Sequence, residues 1–326
     1  MRYVVAGAAG FIGSHLCERL LADGHQVVGI DNFTTGQQSN LDVLRPNSSF
    51  QFVEQDICSP PAALVPVDGA VDVVFNFACP ASPIDFEPKA LDILNVCSAG
   101  VLNLLSLARE KNAVFVQAST SECYGDPEEH PQRETYWGNV NPIGLRSPYD
   151  EGKRFAEALI MAHHRNLGIQ TRIGRIFNTY GPRMRLGDGR VLPNFIQQAL
   201  EDAPLTVFGD GSQTRSFCYV DDLVDGFLRL SRCDEVTPIN IGNDVEITIG
   251  QLAQEVIELT GTGAGTSAGS ARRIEYRALP KDDPKLRCPD LTKARAVLDW
   301  KPTTDRVTGL KSTIEYFRTV LATRPA

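Results

Sequence analysis

The chain has no uninterrupted apolar run of the roughly 18 residues a membrane helix requires, so no transmembrane segment and no membrane partner are expected. Its eight cysteines never fall into a CxxC pair, and no His/Cys spacing suits zinc, so no metal is expected. Basic residues are the minority: 32 Lys and Arg against 40 Asp and Glu leave a net charge of -8. That balance argues against general nucleic-acid binding; an anionic small molecule needs only a few local arginines. Internal repeats are lacking. The first strand pattern starts at Arg2, so no leader peptide is expected before it. Scattered thiols within apolar runs read as reduced cysteines of a cytoplasmic protein. What is present is ordinary for a globular chain of 326 residues, 42% hydrophobic and 22% charged, with room for one or two domains.

The first half alternates two periods. "RYVVAG", "QVVGID", "VDVVFNFA" and "AVFVQAST" read as buried strands, and "FIGSHLCERLLADG" and "ALDILNVCSAGVLNLLSLAREKN" as helices between them. Continuous apolar strands separated by helices predict a doubly wound parallel sheet covered on both faces. After about Gly181 the pattern loosens. Helices are expected at Pro193–Leu200, Asp221–Leu230, Ile249–Thr260 and near the C-terminus, with short strands in "LTVFG", "SFCYV", "PINIG" and "IEYRA". "GTGAGTSAGS" (261–270) has the composition of a flexible loop. The division expected is a Rossmann-type domain over 1–182, with chain returning to it around 217–241, and a smaller mixed α/β lobe over 183–326 that binds substrate.

Gly7, Gly10 and Gly13 form G-x-x-G-x-x-G between the first strand and the first helix. Glycine lets backbone approach a pyrophosphate, and the helix start offers N–H donors and the positive end of its dipole. Asp31 closes the second strand, 18 positions beyond Gly13. A carboxylate there accepts from ribose hydroxyls and repels a 2′-phosphate. Asn32 and Phe33 follow with no arginine, which favours NAD over NADP. Asp56 and Ile57 suit the adenine edge.

In "RSPYDEGKRFAE", Ser147 reads as an N-cap and Pro148 as the first helical residue. Tyr149 and Lys153 then share one helical face. An ammonium beside a phenol favours the phenolate, drawing the tyrosine pKa down toward neutrality and making an acid/base for alcohol oxidation. In "QASTSECYGDPEEHPQ" a buried strand ends in a polar cluster, Ser119, Thr120, Ser121 and Glu122.

Together these features resemble the extended short-chain dehydrogenase/reductases over nearly the whole chain. "STSECYGDPEEHPQ", "YWGNVNPIG", "YDEGKRFAE", "RIFNTYGPRM", "DGRVLPNFI", "LTVFGDGSQTRSFCYVDDLVDG" and "LPKDDPKLRCPDLTKA" narrow the resemblance to the UDP-glucuronate decarboxylases. The resemblance implies NAD as cofactor, held by Gly7, Gly10, Phe11, Ile12, Gly13, Asp31, Asn32, Phe33, Thr35, Gly36, Asp56, Ile57, Ala78, Cys79, Tyr149, Lys153, Thr179 and Arg185. It implies a catalytic set of Thr120, Ser121, Glu122, Tyr149, Lys153 and Arg287. For the nucleotide sugar it implies Asn103, Asn178, Gly189, Arg190, Val191, Leu192, Pro193, Thr206, Val207, Phe208, Gln213, Arg215 and Arg287.

The implied reaction oxidises C4 of UDP-glucuronate and loses carbon dioxide from the β-keto acid. The enolate oxygen is held by Tyr149 and Thr120, and the sugar is then reprotonated and reduced to UDP-xylose. Related 4,6-dehydratases carry Asp–Glu after the threonine; Ser121–Glu122 here is the decarboxylase pattern. A 4-epimerase, a 4,6-dehydratase and a non-catalytic NAD-binding sensor are the alternatives. The resemblance also implies a homodimer, with the helices beginning near Leu91 and Tyr149 as the pairing surface. Cys79, Cys97, Cys123, Pro148 and Pro193 depart from the family's usual residues.

Overall fold

Seven parallel strands make the main sheet of the computed structural model, which describes residues 1–59, 69–261, 274–278 and 286–323. Six come from the first half: β1 (Arg2–Ala6), β2 (Gln26–Asp31), β3 (Phe50–Glu54), β4 (Val73–Asn76), β5 (Val114–Thr120) and β6 (Thr171–Ile176). The smaller lobe contributes β7 (Thr179–Tyr180), β8 (Leu205–Phe208), β9 (Thr214–Ser216), β10 (Cys218–Tyr219), β11 (Ile239–Ile241), β12 (Glu246–Thr248) and β13 (Ile274–Arg277). Of these, β11 adds to the edge of the main sheet, giving the order β3-β2-β1-β4-β5-β6-β11. The order reverses between β1 and β4, and sheets of this kind bind ligands in the crevice at that reversal.

Burial explains the strand sequences. Val4, Val5 and Ala6 are inaccessible on both faces, so β1 is apolar throughout rather than alternating. β6, "TRIGRI", carries no such signature, because Arg172 and Arg175 interrupt it. Arg172 is nonetheless buried and donates to the carbonyls of Cys233 and Thr171. β3 and β6 were not marked by hydrophobic period alone.

Helices cover both faces. α1 (Phe11–Ala22) lies on one face, and α2 (Ala90–Asn95), α3 (Val101–Lys111) and α4 (Ser147–Leu167) lie on the other. A π turn over Val96–Gly100 joins α2 to α3 in one 22-residue helix, Ala90–Lys111. Its best 18-residue window has a mean hydropathy of 1.6, so by length and composition it is long and apolar enough to cross a membrane. Its polar residues are spaced, not absent, so no unbroken apolar run marks it in the sequence. Ile93, Cys97, Val101, Leu104 and Ala108 are buried against the sheet, yet only 39% of that window is buried within the chain.

The smaller lobe has its own core, built on α5 (Val191–Leu200), α7 (Ile249–Thr260) and α9 (Arg306–Ala322). α6 (Val220–Arg232) crosses back to pack on α1 in the sheet's core. A second return was not expected: α8 (Thr292–Leu298) and Trp300 add Leu291, Ala294, Leu298 and Trp300 to that same core. Trp300 donates its indole N–H to the Asp222 carbonyl. Of "GTGAGTSAGS" only Gly261 is described, as the left-handed C-cap of α7; the rest of that stretch, and 279–285 of "LPKDDPKLRCPDLTKA", lie outside the described residues.

Two glycines of the first turn have no room for a side chain. A Cβ on Gly7, whose φ is +84°, would sit 2.7 Å from the Phe77 carbonyl carbon, and one on Gly13 would sit 2.0 Å from the Gly7 oxygen. Alanine gains about 1 kcal/mol over glycine in a helix, but this overlap with backbone outweighs it. Gly13→Ala is therefore expected to lose about 1–3 kcal/mol of stability, read as a lower urea midpoint; an unchanged or higher midpoint would contradict the packing described.

Candidate active site

A cleft of about 730 Å³ runs along the C-terminal strand ends and under the smaller lobe. Gly7, Gly10, Phe11, Ile12 and Gly13 line one end. The N–H groups of Phe11, Ile12 and Gly13 stand in the first turn of α1, where no helical acceptor exists for them. Asp31 sits at the mouth of β2. Its carboxylate accepts from Ala9 N (3.0 Å) and Phe33 N (2.8 Å), and burial raises its pKa against those bonds. A Cβ on Gly36 would meet the Asp31 Oδ1 at 2.8 Å, so this loop closes tightly on the acid. Asn32, Thr35, Asp56, Ile57, Ala78 and Cys79 continue the lining. Glycine turn, free helical donors and strand-end carboxylate fit a dinucleotide. Phe33 is a correction. It occupies a turn with φ of 56°, and its ring packs on Phe52 at 5.4 Å in the core rather than in the cleft.

The other end is lined by Asn178, Gly189, Arg190, Val191, Leu192 and Pro193, and by Thr206, Phe208, Gln213, Arg215 and Arg287, and the cleft lining also includes Thr179 and Arg185. Arg185 is paired with Asp85 (2.5 Å) and Arg190 with Asp188 (2.8 Å), so both guanidiniums are held at the cleft wall by acids. Val207 and Asn103 are corrections. Val207 is inaccessible, pointing into the small-lobe core while its neighbours Thr206 and Phe208 face the cleft. Asn103 spends its amide on the carbonyls of Ile57 (2.8 Å) and Ser59 (2.7 Å), so it anchors the loop after β3.

Between the two ends, β5 delivers Thr120, Ser121 and Glu122, and α4 delivers Tyr149 and Lys153. The helix begins one residue earlier than its capping pattern predicts: Arg146 is the N-cap, Ser147 and Pro148 the first two helical residues. α4 is clamped to β5 just before the polar cluster. Lys153 Nζ donates to the Ala118 carbonyl (2.9 Å), and Glu157 accepts from Ser119 Oγ (2.5 Å) while Arg175 grips it with Nε (2.9 Å) and Nη2 (2.7 Å). This strut fixes Tyr149 relative to Thr120. The Tyr149 ring stacks on Phe86 with centroids 4.6 Å apart and planes 13° apart. Burial pushes its phenol above the ordinary value, and Lys153 and Thr120 pull it back only in part. The expected fall toward neutrality is thus not present in the protein alone, because desolvation outweighs the ammonium.

Glu122 shows the opposite balance. Burial disfavours its charge, but Arg287, Arg146 and Arg215 together hold its pKa down at about 2. Arg146 Nη2 lies 2.6 Å and Arg287 Nη2 3.3 Å from its Oε2. Arg287 also donates to the Gly125 carbonyl (3.1 Å), and its Nη1 is buried with no partner among the described residues, a spare donor at the cleft wall. Next to Tyr149, Asp150 is pushed up to about 7 by burial and by the Glu122 charge. Sequence reasoning missed Arg146 and Asp150. Their spacing of four across the helix start was the available signal.

"YWGNVNPIG" is explained by packing against this corner. Arg154 donates to the carbonyls of Cys123 (2.9 Å) and Trp137 (2.6 Å), Asp126 N donates to the Asn139 carbonyl, and a Cβ on Gly138 would meet the Cys123 oxygen at 2.5 Å. The segment buttresses the turn that follows Glu122.

UDP-glucuronic acid decarboxylase 1 of Arabidopsis thaliana is 47% identical over 98% of this chain and 70% of its own length. UDP-glucuronic acid decarboxylase 1 of Xenopus tropicalis is 43% identical over 97% of this chain and 72% of its own. The crystal structure of UDP-glucuronic acid 4-epimerase from Bacillus cereus, in complex with UDP-glucuronic acid and NAD, superposes with a TM-score of 0.82 at 32% identity, covering 98% of this chain and all of that one. Residues 3–242 match the NAD dependent epimerase/dehydratase family, and with the glycine turn, Asp31 and the Thr120–Tyr149–Lys153 centre in place, the chain belongs to that family.

Proposed function

We propose that the protein converts UDP-glucuronate to UDP-xylose and carbon dioxide, through a 4-keto sugar and with no net redox change. The observation that carries this reading is Glu122, an ionised carboxylate clamped between Arg146 and Arg287 beside Thr120 and Tyr149, with a serine rather than an acid at position 121. Expelling water from a sugar calls for an acid beside the leaving hydroxyl. A β-keto acid needs none, since its ketone takes up the electron pair. Identity of 43–47% to decarboxylases supports the same assignment.

When bound, NAD supplies the electron-pair acceptor for C4 and later returns the same pair. In this reading Tyr149 takes the C4 hydroxyl proton, and the Lys153 ammonium offsets the cost of a buried phenolate. After carbon dioxide leaves, Thr120 and Tyr149 donate to the enolate oxygen. Arg287, with its spare Nη1, and Arg215 suit the carboxylate and phosphate charges of the substrate. A Glu122 carboxylate with a pKa of about 2 is no resting proton donor, so its role is to hold and neutralise these arginines.

Purified protein given UDP-glucuronate is expected to release carbon dioxide and form a pentose nucleotide without accumulating NADH, followed by product mass and absorbance. An isomer of unchanged mass would establish a 4-epimerase instead, loss of water a dehydratase, and bound NAD without turnover a sensor.

We also propose a homodimer. Leu91 (75% exposed) and Phe155 (52% exposed), with Leu94 and Leu102, place apolar surface on α2, α3 and α4, and the pairing of these helices with their copies as a four-helix bundle covers it. Light scattering should give twice the chain mass, and Leu91→Glu with Phe155→Glu should halve it; a monomer at micromolar concentration would refute this.

A further inference from the structure

The sulfurs of Cys79 and Cys97 lie 4.0 Å apart, in hydrogen-bond contact, with Cys79 at the wall of the dinucleotide half of the cleft and Cys97 behind it. Cys79 follows β4 in the segment Ala78–Pro80 that lines the cleft and is partly exposed there; Cys97 is buried in the π turn of the long helix. A Cβ placed on Gly152 of α4 would touch the Cys97 Cβ and Sγ at 3.4 Å, so this thiol packs on the helix that carries Tyr149 and Lys153, one residue before the lysine. The functional reading gives the Cys97 sulfur no task, and gives Cys79 only a place in the cofactor lining. We propose that Cys79 and Cys97 are a reversible oxidation site, closing to a disulfide that weakens dinucleotide binding.

The roles of the two sulfurs differ. The hydrogen bond from Cys97, opposed by burial and aided by the Lys153 ammonium, brings the Cys79 thiol down to about 7, whereas Cys97 is raised well above its ordinary value. Cys79, which a peroxide reaches from the cleft, is therefore the attacking thiolate, and the buried Cys97 behind it the resolving thiol. With a peroxide as oxidant, the Cys79 thiolate attacks one peroxide oxygen and breaks the O–O bond. This leaves a sulfenic acid and releases hydroxide, which takes up the proton the thiol had lost to give water. Cys97 then forms the S–S bond, expelling the sulfenic oxygen as a second water. Both sulfurs give up one electron each, and the peroxide gains the pair.

Closure shortens the sulfur separation from 4.0 Å to about 2 Å. The buried Cys97 is fixed against α4, so Cys79 and the cleft wall at Ala78–Pro80 move instead. The proposal concerns only the dinucleotide half and holds whichever sugar reaction the protein performs.

The test treats the reduced protein with hydrogen peroxide and maps its peptides without reduction, alongside NAD titration by calorimetry. A linked Cys79–Cys97 peptide, NAD affinity lower by on the order of tenfold, and recovery of both changes with dithiothreitol are expected. Saturating NAD should slow the linkage, because the dinucleotide covers Cys79. Cys97→Ser should stop at a sulfenic acid on Cys79 that dimedone traps. Oxidation that spares both thiols, or a Cys79–Cys97 disulfide with unchanged NAD affinity, would overturn the proposal.

Discussion

Tyr149→Phe should leave a folded, NAD-binding protein whose turnover of UDP-glucuronate is slowed on the order of 10³-fold or more. The substitution is a clean probe because phenylalanine keeps the stack on Phe86, 4.6 Å away, and removes only the hydroxyl facing Thr120. The burial that raises the phenol pKa also makes the site intolerant of losing its proton carrier: Lys153 Nζ already donates to the Ala118 carbonyl, and its role is to support the phenolate, not replace it. Neither NADH absorbance nor carbon dioxide should rise after substrate is added. A loss of less than about tenfold would remove Tyr149 from the acid/base role.

Glu122→Gln is expected to separate the two chemical stages. Glutamine keeps the shape and one acceptor oxygen for Arg146 but not the charge that compensates Arg287, which is only 2% exposed. C4 oxidation should proceed, and the reaction should then stall, with NADH absorbance persisting and carbon dioxide release slowed on the order of a hundredfold. Rapid-scan absorbance with parallel carbon dioxide measurement reads both stages. Loss of NADH formation as complete as in Tyr149→Phe would assign the carboxylate to sugar orientation or the first proton transfer. The pH dependence gives a second check. The folded pKa of Glu122, about 2, lies below its ordinary 4.5, so its stabilisation is full above 4.5 and lost as pH falls through about 2. The stability gap between wild type and Glu122→Gln should therefore be widest near neutrality and shrink across that acid window.

The parts of the site that were legible in the sequence are those written by local rules. The glycine turn, Asp31 at a strand end, and Tyr149 with Lys153 one helical turn apart depend on neighbours close in the chain. Val207 was misplaced although strand alternation puts it opposite Thr206 and Phe208. Phe33 and Asn103 depended on a left-handed turn and on a loop 44–46 residues away, which local patterns do not encode. Glu157 continues the Tyr149–Lys153 face by one more turn, but its partner Arg175 lies in a strand whose period arginines disguise. The long helix was legible from its period, although its polar residues are distributed so that no unbroken apolar run marks it.

The double return of the chain to its first core bears on how the protein is made. A ribosome that has released residues 1–182 has delivered six strands of the sheet but not β11, α6, α8 or Trp300. Until residue 241 emerges, β6 remains an open edge and the α1 face lacks α6, and until residue 300 the same core lacks α8 and Trp300. Such an edge is a template for pairing with another chain. The emerging amino-terminal half therefore carries an unpaired strand edge until about residue 241 has been translated, and its core is complete only when Trp300 arrives.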